Sequence, residues 1–401
     1  MKSYRKTVMS ILAATLLLGI VSSMVLAAEA APGVQIHGYM QNRVYAAAGA
    51  NAEFRSERIS VSAATALPNE SNAYVELYYH PWSNAPAGGT AGGIYLESAY
   101  YDTPLGDGRL RIGKGRRMTF GITPSYPNRK TSNYGIVAEA FTQDRIQGVQ
   151  YMIQKEVLDF GIGIQSGYRL GNRRIGEIPG DNLRNACHQV QHLAFRDNGS
   201  GGGSPDEMSQ KPEVSARLGG KWPGGFKGGI SYSLGRIDQR DIAELGGAVP
   251  AGYTLTNLLR PKNPITGASP TTSLLSGATS KKRNVGGLDF MYTGPEGFVA
   301  QGEYYRAKVS DIKYKAWNLL AGFNPPQGWK FFVRYSKLDM PSAILSDNPL
   351  SWDAKQISLS AVQPLRKALW IQYEYEINSE KTDTGESVKN NLFFVELFSG
   401  F

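Results

Sequence analysis

The chain has 401 residues, 19% of them charged, with 46 glycines, a single cysteine and a formal net charge of +9. That length suits one large β domain or about two ordinary ones, and the lone cysteine excludes a disulfide-stapled scaffold. Beyond residue 30 no apolar run approaches the roughly 20 residues a membrane-spanning helix needs, which excludes a polytopic helical membrane protein. The 22 tyrosines and 15 phenylalanines, set among short glycine-rich turn signals, favour β structure.

Taken in chain order, the first element is a leader. Lys2, Arg5 and Lys6 precede an apolar stretch from Val8 to Val25, and small-residue cleavage patterns follow at Val25-Leu26-Ala27 and Ala28-Glu29-Ala30. This is the pattern of a secretory signal peptide over residues 1–30. Its removal takes away three bases and one acid and lowers the charge from +9 to +7. The exported chain stays basic, and Cys187 has no partner within it.

The remainder, 31–401, reads as alternation. Successive β residues point to opposite faces, so a wall between lipid and water shows apolar residues at every second position. Leu369, Ile371, Tyr373, Tyr375 and Ile377 carry one parity, and Gln372, Glu374, Glu376 and Asn378 the other. Phe331, Val333 and Tyr335 alternate with Lys330, Phe332, Arg334 and Ser336, and the same period is expected through Ile94, Leu96, Ser98 and Tyr100. Strands are predicted at 34–46, 52–66, 70–81, 93–103, 108–117, 146–156, 158–169, 212–222, 226–238, 283–293, 297–309, 311–324, 329–340, 352–364, 367–379 and 387–401. About sixteen strands, an even count, suit an all-β transmembrane antiparallel barrel whose closure leaves no open sheet edge in lipid.

Every second connection is a tight Gly/Pro/Asn/Asp turn, while the others include long segments at 118–145, 170–211 and 239–282. Short periplasmic turns alternating with long external loops place the barrel in a bacterial outer membrane. Trp82, Tyr101, Trp222, Tyr292, Trp329 and Trp352 near strand ends fit interfacial girdles. Phe393, Val395, Leu397 and Phe401 share one face of the last strand, which ends on an aromatic residue.

The stretches GRLRIGKGRRMTFGI (108–122), AEAFTQDRIQGVQYM (138–152), GFVAQGEYYRAKVSD (297–311) and WKFFVRYSKLDM (329–340) resemble segments of the phosphate-selective porin O/P family. Two departures stand out. Met118-Thr119-Phe120 replaces the usual Pro-Phe after the basic strand, and the acidic Pro-Glu-Phe-Gly-Gly signature of general porins is absent. The resemblance implies a sixteen-stranded trimeric channel whose third loop folds inward and narrows the lumen.

Nine inward bases (Arg43, Arg58, Arg109, Arg111, Arg169, Arg217, Lys227, Lys330, Arg334) face eight inward acids (Glu76, Glu97, Glu213, Asp289, Glu303, Glu374, Glu376, Glu396), so the wall alone selects no sign of ion. Selectivity falls to the narrowest place, where fixed charges lie within the roughly 8–10 Å screening length. There the candidate constriction, 118–145 with its leading bases, holds Arg116, Arg117, Arg129, Lys130 and Arg145 against Glu139 and Asp144, a surplus of three positive charges. Arg109 and Arg111 either join Arg116 and Arg117 in a staircase for anions or sit at a rim against lipopolysaccharide phosphates and loop carboxylates. Lys114 shares parity with Ile112 and is assigned to the outer rim.

Other chemistries are weaker. Cys187, His188 and His192 sit together, and a helix would bring His188 and His192 onto one face as a possible metal site, but they lack further ligands at recognisable spacing. His37 and His80 are not accompanied by a nucleophile elbow, so no catalytic triad is expected. The sequence reading is a non-enzymatic porin without cofactor, passing small hydrophilic solutes and preferring anions such as phosphate or carboxylates. Its expected partners are those solutes, lipopolysaccharide and outer-membrane lipid, and two further copies of the chain, with no role for nucleic acid. The alternatives are a barrel that sheathes an exported electron-transfer protein and a surface receptor acting through its long loops.

Overall fold

The alternating segments become the staves of a closed wall. The computed structural model describes residues 33–47, 52–80, 93–122, 130–142, 145–168, 170–175, 188–195, 208–255, 277–339, 354–380 and 391–401. The leader 1–30, Cys187, Trp82 and Trp352 lie outside the described residues. The strands are β1 (Val34–Ala47), β2 (Glu53–Leu67), β3 (Ser71–His80), β4 (Gly93–Leu105), β5 (Gly108–Arg116), β6 (Arg145–Gln154), β7 (Leu158–Tyr168), β8 (Leu170–Ile175), β9 (His188–Phe195) and β10 (Met208–Trp222). They continue with β11 (Phe226–Arg236), β12 (Lys282–Thr293), β13 (Phe298–Val309), β14 (Ile312–Phe323), β15 (Lys330–Asp339), β16 (Ala354–Arg366), β17 (Leu369–Glu380) and β18 (Leu392–Gly400). Two short helices are α1 (Ile136–Phe141) and α2 (Gln239–Glu244).

Sixteen of these strands form one antiparallel barrel, each paired with its neighbours and the ring closed by β1 against β18, where Arg43 stands opposite Glu396. Closure pairs every strand on both sides, which a sheet in lipid requires. The remaining two, β8 and β9, make a separate hairpin within the segment between β7 and β10. His188 and His192 therefore stand on a strand, which overturns the helical spacing behind the metal reading, and no three metal-ligating side chains cluster among the described residues.

Connections segregate by length. At one end the chain turns within 68–70, 106–107, 155–157, 223–225, 294–297, 324–329 and 367–368. The other end carries 81–92, 117–144, 169–207, 237–281, 340–353 and 381–391, with two brief exceptions, 48–52 between β1 and β2 and 310–311 between β13 and β14. These are called the short-turn end and the long-loop end.

The outer face is apolar: Ile230, Leu288 and Phe331 are each more than 50% exposed. Such a surface has no place in water but matches a lipid-facing band. At its short-turn border aromatic rings gather, with Phe226 and Tyr292 centroids 4.4 Å apart and Trp329 stacked 6.2 Å from Phe331. The expected period breaks at several register shifts, in β2 at Glu57, in β10 before Pro212, in β16 before Arg366 and in β4. A register shift lets β4 carry one extra residue opposite Glu76 and Leu77, so Glu97 and Ser98 are both buried while Ile94 and Leu96 stay exposed. The break is a β-bulge, which re-aims side chains at one point of a strand.

Candidate functional site

The chain leaves β5 and turns into the barrel rather than over its rim. Met118 N donates to Gln150 Oε1 at 2.7 Å, Ile122 N donates to Glu303 Oε1 at 2.9 Å, and the Phe120 ring stacks on Tyr305 with centroids 5.4 Å apart. Gly121, at φ +66°, is required here, since a Cβ would lie 2.1 Å from Tyr305 Oη. Further on, α1 lays Phe141 against Tyr305 and Tyr314, with centroids 4.9 and 5.4 Å away. Ile136, Val137, Ile242, Leu245 and Ala278 are buried in the same cluster, so parts of two connections fill the lumen beside β12–β16 with an apolar core.

The middle of the loop is held by charge. Arg334 on β15 donates to Asn133 O at 2.6 Å and also to Thr131 Oγ1; Asn133 Nδ2 donates to Glu376 Oε1 at 2.9 Å. Ser132 N donates to Glu374, and Ser132 Oγ to Glu396, which also accepts from Arg43 Nε at 2.7 Å. Arg43 Nη1 reaches Asn133 Oδ1 at 3.1 Å. Gly135 at φ +85° lets the backbone pass Arg334, whose Nε would lie 2.7 Å from an added Cβ. Five wall charges, Arg43, Arg334, Glu374, Glu376 and Glu396, thus bind the loop to the wall.

Most of the other inward charges also pair with one another. Arg217 forms a bidentate pair with Asp289, Arg283 and Arg117 both meet Glu213, Arg145 meets Glu97, and Arg111 grips Asp102 through two 2.8 Å bonds. Their side chains are buried or half-buried, and removing one member of a buried pair costs about 3–5 kcal/mol because the other charge is left in a dry site.

A different environment lies at the short-turn end. A cavity of about 1140 Å³ is bounded by Asn324, the turn Pro364 to Leu369, Phe401, the strand residues His37, Tyr74, Tyr100 and Trp370, and Lys130 of the loop. Six cationic side chains line it, Arg111, Arg116, Lys130, Lys330, Arg366 and Lys367, against the carboxylates of Glu76 and Glu396. Among the described residues Lys130, Lys330, Arg366 and Lys367 have no carboxylate within salt-bridge distance. Burial, reinforced by the neighbouring Lys330 cation, holds the Lys130 ammonium below the usual lysine range. Two like charges held close and unneutralised favour an anion between them.

The sequence-derived residues separate into three environments. Arg111, Arg116 and Lys130 line the cavity, with Arg111 also stacked 3.8 Å over the Tyr100 ring and Arg116 Nη2 donating to Tyr134 Oη at 3.1 Å. Arg117 and Arg145, 2% and 4% exposed, sit in buried ion pairs. Arg109 donates to the Glu70 carbonyl at 3.1 Å, in the β2–β3 turn. Lys114 is buried rather than displayed at an outer rim, its Nζ donating to Leu96 O at 2.6 Å. Arg129, Asp144, Arg169 and the side chains of Glu139 and His80 lie outside the described residues. Sequence reasoning missed Arg366, at the end of β16 past a register shift, and Lys367, in the two-residue turn after it, where no parity can be read; the signal was two adjacent bases at the short-turn end.

Salmonella typhi OmpF superposes at a TM-score of 0.56 with 11% identity, covering 92% of this chain and 97% of that one. The trimer form of OmpT from Vibrio cholerae gives 0.51, 13%, 92% and 99%, and an anion-selective porin from Comamonas acidovorans gives 0.50, 13%, 92% and 99%. The chain therefore has the fold of bacterial outer-membrane porins, a closed antiparallel barrel of sixteen strands with a lipid-type outer face. No protein-family model and no curated protein matches the sequence.

Proposed function

We propose that this protein is a passive outer-membrane porin, assembled as a trimer, that admits small hydrophilic solutes with a mild preference for anions such as phosphate or carboxylates. The observation that carries the reading is the cavity at the short-turn end, where Lys130, Lys330, Arg366 and Lys367, with no carboxylate within salt-bridge distance among the described residues, line a water-accessible space. Here the loop 118–145 acts as the constriction. It crosses the lumen on bonds to both walls, and the route that remains passes Arg116, Lys130 and Lys330. Guanidinium and ammonium donors replace part of an anion's hydration shell as it passes, and because several sites are available none needs to bind tightly. No conformational cycle, cofactor or catalytic group enters this scheme.

Three further points support it. The anion-selective Comamonas porin shares the fold, the Vibrio relative is a trimer, and the four quoted segments resemble the phosphate-selective porin O/P family. A sheath for an exported protein needs a clear bore, and the loop bonded across the lumen counts against that role. Purified protein added to planar bilayers in potassium chloride should give discrete conductance steps that scale with salt concentration. Absence of steps from folded protein would favour a receptor acting through its long loops.

A further inference from the structure

The inner face of a water-filled barrel should be polar, yet one arc of the wall around the short-turn cavity departs from that rule. On β17, β18, β1, β3 and β4, which lie side by side in the closed ring with β2 among them, the inward residues at the cavity are aromatic: Trp370, Phe398, Tyr39, Tyr78, Tyr74 and Tyr100. They form two stacks. The Trp370 and Phe398 rings have centroids 3.9 Å apart at an interplanar angle of 10°, Phe398 stacks on Tyr39 at 5.1 Å, and Tyr39 Oη donates to Tyr78 Oη at 2.8 Å. Tyr74 stacks on Tyr100 at 5.1 Å, with the Arg111 guanidinium 3.8 Å from the Tyr100 centroid. Phe398, Tyr39 and Tyr78 are buried, while Trp370, Tyr74 and Tyr100 stay half-buried at the cavity.

Anchoring the loop does not account for this arc. The rings packed against the entering chain, Phe120, Phe141, Tyr305 and Tyr314, belong to the separate core toward the long loops. An apolar surface kept on a water-accessible cavity and rimmed by charge is the mark of a ligand groove. Cations bracket the arc, with Arg111 on β5 at one end, Lys330 on β15 and the Arg366–Lys367 turn at the other, and Lys130 on the loop. The two carboxylates of the cavity already hold donors, Glu396 from Arg43 Nε at 2.7 Å and Glu76 from Ser60 Oγ at 3.0 Å. A ligand complementary to this lining carries a flat apolar ring, which stacks on aromatic side chains. It also carries a carboxylate, which takes charge-assisted hydrogen bonds from ammonium and guanidinium groups.

We infer that the short-turn cavity is a binding site for small aromatic carboxylates, the ring laid on the aromatic arc at Trp370 and Tyr74 and the carboxylate held by Lys130 and Lys330. This rests on the porin reading of the same cavity and names the class of solute that the cavity favours. Benzoate-like acids are preferred there over acids without a ring, and over sugar acids, whose rings are puckered and carry hydroxyls on every side. Two separate stacks offer successive weak sites, so binding is compatible with passage.

The test adds potassium benzoate, potassium acetate, potassium glucuronate or neutral benzamide to the reconstituted protein and reads how far each reduces the chloride current. Benzoate should block at a concentration about threefold to tenfold below that of acetate, the worth of one aromatic stack. Glucuronate should resemble acetate, and benzamide should block less than benzoate. Trp370→Leu and Tyr74→Leu should each bring the benzoate-to-acetate ratio toward one, whereas Lys130→Gln with Lys330→Gln should weaken block by both anions alike. A second readout needs no conductance: the fluorine NMR signal of 4-fluorobenzoate should broaden with detergent-purified protein, sharpen on adding benzoate but not acetate, and broaden less with Trp370→Leu. Equal block by benzoate and acetate, stronger block by glucuronate, a ratio unchanged in both ring variants, or no broadening that benzoate reverses would overturn the inference. Conductance steps without a benzoate preference would leave the porin reading standing, while reversible broadening without steps would support the site and count against the porin reading.

Discussion

The lumen is built on opposite rules at its two ends. Toward the long loops, Phe120, Phe141, Ile242 and Leu245 pack as a protein core does, and the charges around them, Glu213 with Arg117 and Arg283 above all, are matched and dry. Toward the short turns, Lys130, Lys330, Arg366 and Lys367 line a cavity, and among the described residues no carboxylate lies within salt-bridge distance of them. The first arrangement spends its charges on holding a loop in place; the second leaves them on a water-accessible cavity, where the proposed function has solutes pass. Counting inward charges around the wall averages the two and hides both, which is why nine bases against eight acids looked neutral.

The sharpest way to break the contrast is to cut one charge from the matched end. Arg334→Ala leaves Glu374 and Glu376 buried beside the loop, and should destabilise the barrel by about 3–5 kcal/mol, read as a lower unfolding midpoint in denaturant. The same variant should raise single-channel conductance, since residues 131 to 133 lose their anchor. Charge reversal at the open end should do the converse: Lys130→Glu with Lys330→Glu should leave stability nearly unchanged and move the reversal potential in a salt gradient from the anion side to the cation side.

A smaller effect follows from pH. Because Lys130 loses its proton below the ordinary lysine value of about 10.4, anion preference should decline as pH rises while the other lysines are still charged. A preference that stays flat until ordinary lysines titrate would separate Lys130 from the permeation path. The smallest effect is expected at Arg109, tied to the Glu70 carbonyl and absent from the cavity lining, so Arg109→Glu should hardly alter the reversal potential.

How much of this was legible follows from what a period of two can encode. Parity placed Glu374, Glu376, Arg334 and Lys330 on the inner face, and the turn residues located the strand ends to within a few positions. Parity fails where a strand gains a residue, as at Ser98 beside the inserted Glu97, and where an inward position is apolar because it packs against neighbouring inward side chains, as at Phe332 and Phe398, both buried. It also cannot separate a solute-facing base from a structural one. Arg116 and Arg117 are adjacent, yet one lines the cavity and the other is shut against Glu213 and stacked over Phe120, because the chain turns inward between them. Pairing partners hundreds of residues away, Arg43 with Glu396 and Ser132 with Glu374, follow from barrel closure and loop entry rather than from any local pattern.

The most direct measurement is the zero-current potential of the reconstituted wild-type protein across a bilayer separating two concentrations of potassium chloride. On the proposed reading, the lysines and arginines lining the short-turn cavity make chloride carry more current than potassium, with the preference fading as salt rises and screening shortens. A potential of cation sign, or an anion preference that survives Lys130→Glu with Lys330→Glu, would contradict the assignment of selectivity to that cavity.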